Sequence, residues 1–539
     1  MGRAAGWLAL AAMSGAAFGQ TVVTFHSGVD GSEQPYAVYT PKSLQAGAPQ
    51  GKKYPLLISL HAEESNAALN LRQVLGVASR FGDVAPADLR NFPDRNVDFI
   101  VACPLARGTM GYQGIAEKDV YDVLADVESR YPVDRERVYL TGISMGGGGA
   151  LWLALTRPDV WAAVAPLCPA TVPGSEELAA NALNLPIRIF QGGQDPLVPV
   201  ESSRLWQRRL LNLGVEADYI EYPGVRHNVW DLAYRDRTLF DWLEKFARQR
   251  VPERVRLTTR SYRYGSAYWL KIDALTPGDP ASIDARLEGN RLEVETRGVD
   301  GFTVTPDRPL TAVTIDKTVV RARAAGPQSF FRASGGAWRA GAAPPAGKRL
   351  GLEGPIAEAV AGRHIYVYGT AGSGAPEEIE ARRKLAETAA AWSTPRERLS
   401  LSLPVKADRA VTAEDLDAAD LVLFGTSETN SLIARLAARL PLALNPGAAD
   451  YGLLFIAPAG KHYVLVSSGL PWWTGAEEAK RGGYPFAPQS YRVLSTFGDY
   501  ILFKGSLAEV VAEGRFDRNW KVPPEAARKM QATGTVTIH

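Results

Sequence analysis

Cysteine and histidine are scarce in this sequence of 539 residues, which contains two cysteines, Cys103 and Cys168, and six histidines. The histidines form neither an HExxH motif nor a pair at ligand spacing, and two cysteines are too few for the usual zinc site. Both cysteines lie at the ends of apolar runs that we interpret as non-adjacent strands of one sheet. A disulfide needs Cα atoms within about 7 Å, so we expect two free buried thiols. From the residue counts and spacings we also expect no metal site, and we expect no cofactor.

An excess of charge of either sign is also missing. The chain has 60 basic and 58 acidic residues, without a long basic block, which disfavours nucleic acid as a partner. Beyond the N-terminal segment, no stretch has the roughly 20 consecutive apolar residues that cross a bilayer. We therefore expect no membrane anchor, while the oligomeric state cannot be read from composition.

The first nineteen residues are typical of an export signal. Arg3 provides a positive start, residues 7–18 are apolar, and Ala17-Phe18-Gly19 is a small-x-small cleavage site. An apolar stretch of about twelve residues is too short to span a bilayer. We expect export to the periplasm or the cell exterior with cleavage near Gly19. A buried N-terminal helix is the alternative.

The rest of the chain is too long for one hydrophobic core and predicts several domains. Residues 20–250 alternate strand-like and helix-like segments, which predicts an α/β fold with a parallel sheet and helices on both faces. Residues 251–350 contain alternating runs with turns at Gly289-Asn290 and Asp316-Lys317, which predict a small β-rich domain and a linker. Residues 351–539 alternate again and predict a second, Rossmann-like α/β domain whose role is unknown. We call these three parts the N-terminal unit, the β-rich unit and the C-terminal unit.

Residues 138–155 run from a short apolar strand through Gly142-Ile143-Ser144-Met145-Gly146 into an apolar helix. A strand, a G-x-S-x-G motif and a helix in this order are typical of a nucleophile elbow. The turn is so tight that the positions two before and two after Ser144 must lack a side chain. It also places Ser144 at a helix N-terminus, where free N–H groups stabilise negative charge. A glycine-rich turn with an incidental serine is the alternative.

A base and an orienting acid for Ser144 are expected at neighbouring strand ends. Asp195 follows a predicted strand at 187–191, and His227 follows one at 218–222. A serine hydroxyl is a weak nucleophile until an imidazole takes its proton, and a carboxylate holds the other ring nitrogen. Taken singly, Asp195 also fits a turn before proline and His227 a loop histidine. Asp231 is a competing acid that we rank below Asp195.

Residues 30–248 resemble the α/β-hydrolases of the prolyl oligopeptidase, dienelactone hydrolase and feruloyl esterase neighbourhood. The resemblance rests on three segments: 134–147 with its Gly142-Ile143-Ser144-Met145-Gly146, Gly192-Gly193-Gln194-Asp195, and His227-Asn228-Val229-Trp230-Asp231. It implies the doubly wound α/β-hydrolase sheet and a hydrolase that acylates Ser144 with help from His227 and Asp195. It covers under half of the chain and does not specify the substrate.

An oxyanion hole needs two donors near Ser144. The Met145 N–H follows the nucleophile and is one of them. The second is expected from the loop after Leu60, where the resembled enzymes usually have His-Gly and this chain has His61-Ala62-Glu63. We therefore predict the N–H of Ala62 or Glu63, although a residue other than glycine resists positive φ.

Three further residues are candidates for substrate contact. They are His61, which also fits a structural role, Tyr112 in a flexible loop that also fits plain solvent exposure, and Trp230, which also fits packing beneath the pocket. The predicted function is an exported carboxylic ester hydrolase acting on small esters or on acyl groups attached to polysaccharide. A peptidase of the prolyl oligopeptidase type with the same triad, acting on a peptide, is one alternative. A binding protein without catalysis is another.

Overall fold

The computed structural model describes residues 20–47, 49–77, 97–321, 326–345, 347–372, 374–395, 397–482 and 486–539. The predicted leader at residues 1–19 lies outside these ranges. Of the helices within them, none has both the length and the apolar character needed to traverse a bilayer. Both cysteines are free and buried, as the sequence predicts.

The N-terminal unit is built on one sheet of eight strands in the order β1-β2-β4-β3-β5-β6-β7-β8. β1 and β2 pair antiparallel, as do β2 and β4, and all other neighbours are parallel. The strands are β1 (Gln20–His26), β2 (Glu33–Tyr39), β3 (Tyr54–Leu60), β4 (Ile100–Pro104), β5 (Val133–Ile143), β6 (Ala163–Leu167), β7 (Ile187–Gly192) and β8 (Ala217–Tyr222).

Helices cover both faces of this sheet. Leu56 and Ile58 of β3 pack in one hydrophobic cluster, whereas Leu57 between them packs in another. Alternate side chains of a strand point to opposite faces, so both faces are buried and the predicted doubly wound arrangement is present. The helices are α1 (Lys42–Gln45), α2 (Ala67–Val74), α3 (Ile115–Arg130), α4 (Met145–Thr156), α5 (Val200–Asn212), α6 (Trp230–Ala233) and α7 (Thr238–Leu243), with a 3₁₀ helix at Ser175–Asn184.

The β-rich unit consists of two five-stranded sheets, β10-β11-β14-β17-β18 and β16-β15-β13-β12-β9. One hydrophobic cluster contains Leu257 and Val294 from the second sheet and Ile272 and Phe302 from the first, so the sheets share a core. The strands are β9 (Arg254–Thr259), β10 (Ser266–Ala267), β11 (Leu270–Leu275), β12 (Ala281–Glu288), β13 (Arg291–Arg297), β14 (Val299–Val304), β15 (Ala312–Ile315), β16 (Thr318–Val320), β17 (Gln328–Arg332) and β18 (Trp338–Ala340), with a 3₁₀ turn at Tyr262–Tyr264.

The C-terminal unit contains a seven-stranded sheet in the order β20-β19-β21-β24-β23-β25-β26 and a two-stranded sheet, β22-β27. Its strands are β19 (His364–Tyr368), β20 (Val405–Ala407), β21 (Asp420–Phe424), β22 (Leu442–Leu444), β23 (Tyr451–Ala459), β24 (His462–Gly469), β25 (Tyr500–Lys504), β26 (Val510–Gly514) and β27 (Val536–Ile538). Its helices are α8 (Pro376–Ala390), α9 (Ala413–Ala418), α10 (Ser431–Leu436), α11 (Tyr491–Leu494) and α12 (Pro524–Ala532), with 3₁₀ segments at Ile356–Val360, Asp408–Ala410 and Ala437–Arg439.

The Rossmann-like prediction for the C-terminal unit needs a correction. β19, β20, β21 and β24 pair in parallel, but β23, β25 and β26 pair antiparallel. For β23 and β24 the cause is the turn at residues 460–461, where Ala459 pairs directly with His462. A two-residue turn joins only antiparallel strands, because a parallel pair needs a crossover of a dozen or more residues.

Candidate active site

Ser144 occupies the sharp turn between β5 and α4, with φ 56° and ψ −111°. A Cβ atom on Gly142 would lie 2.1 Å from the carbonyl oxygen of Gly146, and one on Gly146 would lie 2.3 Å from that of Leu60. No side chain fits at either position, as the sequence argument requires. The left-handed backbone of a non-glycine residue costs energy and is concentrated at functional sites. Ser144 itself is partly exposed, so the turn presents it at the surface of the sheet edge.

Asp195 follows β7, and its carboxylate is held by four donors. Oδ1 accepts from the backbone N–H groups of Leu197 and Val198 at 2.8 and 3.0 Å. Oδ2 accepts from Gln191 Nε2 at 3.1 Å and faces His227 Nδ1 at 2.7 Å. The side chain has no solvent exposure. Its orientation is therefore fixed by the backbone as well as by its histidine partner.

His227 follows β8 and points Nδ1 at the Asp195 carboxylate. The other ring nitrogen, Nε2, is the one left to act on a neighbouring hydroxyl. The Trp230 ring meets the imidazole edge to face, with centroids 5.9 Å apart, and supports it from one side. Asp231 is not the acid of this pair. Asn228 Nδ2 donates to it at 3.3 Å, whereas His227 Nδ1 faces Asp195.

The strand order brings these residues to one edge of the sheet. β5, β6, β7 and β8 are consecutive neighbours, and Ser144, Asp195 and His227 follow the carboxyl ends of the first, third and fourth. Backbone hydrogen bonds connect the residues that follow these strands: Ser144 N–H donates to Leu167 O at 2.9 Å, and Cys168 N–H donates to Phe190 O at 2.8 Å. The structure therefore gathers the three predicted catalytic residues at the place where α/β sheets bind ligands.

The predicted oxyanion donors also lie at this edge. Met145 begins α4, so its N–H has no acceptor within the helix. The tight approach of Gly146 to the carbonyls of Leu60 and His61 places the segment of residues 61–63, the oxyanion segment, directly against this helix end. The positive φ of this loop, 58°, falls on Glu64, directly after the segment. Neither Ala62 nor Glu63 has a positive φ, so neither position needs a glycine.

His61 and Tyr112 require a correction, because both are buried and neither lines an open site. The His61 ring nitrogens face the carbonyl oxygens of Ala62 at 2.7 Å and Leu105 at 2.9 Å. The Tyr112 hydroxyl donates to the carbonyl oxygen of His61 at 3.0 Å. Burial lowers the pKa of His61 and raises that of Tyr112. These residues form a supporting layer beneath the oxyanion segment.

Trp230, the third candidate for substrate contact, is also buried, at 3% exposure. It packs against His227 and so belongs to the alternative in which it lies beneath the pocket. Burial of this kind is not visible in the local sequence pattern. An aromatic residue three positions after a loop histidine suits a pocket wall and a packing layer equally well.

Cys168 belongs to the site and was predicted only as a buried thiol. It has φ 37°, and its Sγ donates to the carbonyl oxygen of His227 at 3.5 Å. Donor atoms of Cys168, Asp195 and His227 lie within 4.8 Å of one another, a grouping that could hold a metal. However, Asp195 and His227 already bond each other, and burial raises the thiol pKa, which opposes the thiolate that metals bind. The contacts are those of a hydrogen-bonded Asp195–His227 pair with Cys168 bonded to the His227 carbonyl.

Residues 109–232 match the model of the Dienelactone hydrolase family. No curated protein sequence matches the chain. Among solved structures, a thermostable esterase is similar at 24% identity over 43% of this chain, with TM-score 0.35, and the match spans 64% of that esterase, less than two thirds of its length. The fluorophosphonate-binding serine hydrolase F of Staphylococcus aureus is similar at 19% identity, 42% and 97% coverage, and TM-score 0.34. A ferulic acid esterase of Anaeromyces mucronatus is similar at 18% identity, 44% and 93% coverage, and TM-score 0.34.

The family match spans the segment that carries Ser144, Asp195 and His227, and the eight-stranded sheet has the order described above. Together they give the N-terminal unit the α/β-hydrolase fold. Because this unit contains the residues that match a hydrolase family, we refer to it as the hydrolase unit from here on.

Proposed function

We propose that the protein is a carboxylic ester hydrolase that works through an acyl-enzyme on Ser144. The observation that carries the proposal is the 2.7 Å contact between His227 Nδ1 and Asp195 Oδ2, at the same sheet edge as a serine held in an elbow. A histidine fixed in this tautomer can accept a proton on Nε2. Buried, backbone-held Asp195 then stabilises the imidazolium ion that forms.

The proposed reaction has two halves. Ser144 Oγ attacks the acyl carbonyl while His227 Nε2 takes the hydroxyl proton, and the same proton is then given to the leaving alcohol. Water, deprotonated by His227, attacks the acyl-enzyme, and the proton returns to Ser144 as the acid leaves. In both halves the carbonyl oxygen becomes an oxyanion, for which we propose the N–H of Met145 and that of Ala62 or Glu63 as donors.

For the bond that is cut we propose a carboxylic ester. The name of the matched family, dienelactone hydrolase, supports this, because a lactone is a cyclic ester. Small esters and acyl groups attached to polysaccharide are the proposed substrates. Export is also part of the proposal, supported by the features of residues 1–19. If the leader is removed, the N-terminal residue of exported protein is Gln20.

The test is turnover of 4-nitrophenyl acetate, methyl ferulate and an aminoacyl-prolyl anilide by the wild type and by Ser144→Ala. We expect the wild type to cleave an ester and Ser144→Ala to lose this activity. Cleavage of the anilide alone would replace the esterase proposal by a peptidase with the same triad. No cleavage of any of the three would contradict both proposals.

A further inference from the structure

The loop between β4 and α3, residues 105–114, supports the oxyanion segment from below. The carbonyl oxygen of Leu105 lies 2.9 Å from His61 Nε2, and the Tyr112 hydroxyl donates to the carbonyl oxygen of His61. The same histidine contacts Ala62 O through Nδ1. Any shift of this loop must therefore move the backbone that carries the proposed second oxyanion donor.

The far side of the β4–α3 loop is held by the C-terminal unit. Gly108 forms an antiparallel bridge with Leu399. Ser400 N–H donates to the carbonyl oxygen of Arg107, and Arg107 Nη1 donates to Ser400 O, each at 3.1 Å. The Arg107 side chain is fully buried and also pairs with Asp119 at 2.6 Å. The loop of the N-terminal unit is thus held by residues of the C-terminal unit that lie almost 300 positions further along the chain.

Arg492 on α11 contacts the β4–α3 loop three residues before Tyr112. Its Nη2 donates to the carbonyl oxygen of Thr109 at 2.7 Å and pairs with Glu397 Oε1 at 3.3 Å. The guanidinium also stacks on the Phe486 ring, 3.5 Å from its centroid. Glu63 interacts electrostatically with both Arg492 and Glu397. The C-terminal unit therefore contacts the supporting loop directly and places charged groups within electrostatic range of Glu63.

We propose that Arg492 is a positioning residue for ester hydrolysis, acting through the β4–α3 loop and His61 on the oxyanion N–H of Ala62 or Glu63. The inference rests on the proposed function. Through Arg492, the C-terminal unit would contribute to the geometry of the active site. Oxyanion donors stabilise the transition state only when they are preorganised, and small misplacements cost large factors in rate.

The experiment compares Arg492→Met and Arg492→Lys with Arg518→Met as the matched control. Arg518 also makes a contact between units, with Asp300 at 3.4 Å, but it does not touch the β4–α3 loop. With 4-nitrophenyl acetate we expect Arg492→Met to lower kcat about tenfold and to leave KM within about twofold, because oxyanion donors act on the transition state. Lysine keeps a charged donor for Thr109 O but lacks the planar guanidinium that stacks on Phe486, so kcat should fall about threefold, between Arg492→Met and the wild type. Melting temperatures report any loss of folding.

A kcat of Arg492→Met within twofold of the wild type would contradict the positioning role. So would an equal loss in Arg518→Met, which would show a general effect of loosening the units, and so would a loss that appears only in KM. If Arg492→Met does not fold, Arg492→Lys decides: a reduced kcat with wild-type KM and melting temperature supports the role, and unchanged kcat overturns it. A wild type without ester turnover would refute the proposed function, and this inference with it.

Discussion

At the scale of single residues, the site depends on how Asp195 is held. Two of its four donors are backbone N–H groups from the turn that follows it. These bonds would persist if His227 moved or if the carboxylate became an amide. The acid can therefore be altered chemically without collapse of its turn, which makes its catalytic contribution measurable.

Asp195→Asn should lower kcat by about 10⁴-fold while the melting temperature changes little. An amide can turn its oxygen to the backbone donors, but its NH₂ group then faces His227 Nδ1 and favours the tautomer that cannot accept a proton on Nε2. Kinetics with 4-nitrophenyl acetate measure the effect. Asp231→Asn, which changes the other acid near His227, is the control and should stay within about twofold. Equal losses in the two variants would show that Asp195 is not the orienting acid.

The shared sheet edge of Ser144, Asp195 and His227 could be predicted from the sequence because each residue follows a recognisable strand or lies in a local motif. The roles of His61, Tyr112 and Trp230 could not, since they depend on burial by residues distant in the chain. Cys168 illustrates the same limit. Its position at the end of β6 is visible in the sequence, but its contact with the His227 carbonyl depends on how two loops meet.

At the scale of elements, the strand–turn–helix around Ser144 was predictable because its constraint is local. The mixed sheet of the C-terminal unit was not predicted, although the turn at residues 460–461 is a readable signal of antiparallel pairing. Alternating strands and helices elsewhere in that unit favoured a parallel arrangement. The hairpin between β23 and β24 makes that pair antiparallel, and β25 then pairs antiparallel with both β23 and β26.

His364, the first residue of β19, makes this element sensitive to acid. The ring is fully buried, stacks on Trp392 at 5.6 Å and bonds Gly362 O through Nδ1 at 2.9 Å. Its Nε2 has no hydrogen-bond partner within the described ranges. Burial lowers its pKa from 6.5 to about 4, because the charged ring cannot be solvated there.

The unfolded chain therefore binds a proton at His364 between pH 6.5 and 4, whereas the folded chain does not. The contribution of neutral His364 to the free energy of unfolding is fully present above pH 6.5. It is lost as the pH drops through this window, so the free energy of unfolding is lower by about 3 kcal/mol at pH 4. In His364→Phe, the fall in melting temperature from pH 7 to pH 4.5 should be smaller than in the wild type by about 5 °C. The exposed His26, changed to Phe, is the control. Identical pH profiles for wild type and His364→Phe would refute this account.

At the scale of the whole molecule, one hydrophobic cluster extends from the hydrolase unit into the C-terminal unit, with Tyr112 and Ile115 in the same cluster as Val493 and Leu494. Composition and periodicity suggested three units, whose boundaries stay predictions. They could not show that the third unit packs against the active-site loop of the first. Contacts such as Arg107 with Ser400 join residues with no common local pattern, so only the folded chain reveals them.

The proposed function requires Ser144 to be the nucleophile. The most direct measurement is reaction of the full-length chain with a fluorophosphonate, followed by peptide mass spectrometry. We expect one phosphonylated site, at Ser144, with no labelling after heat denaturation or in Ser144→Ala. Labelling of another serine, or none in folded protein, would contradict it.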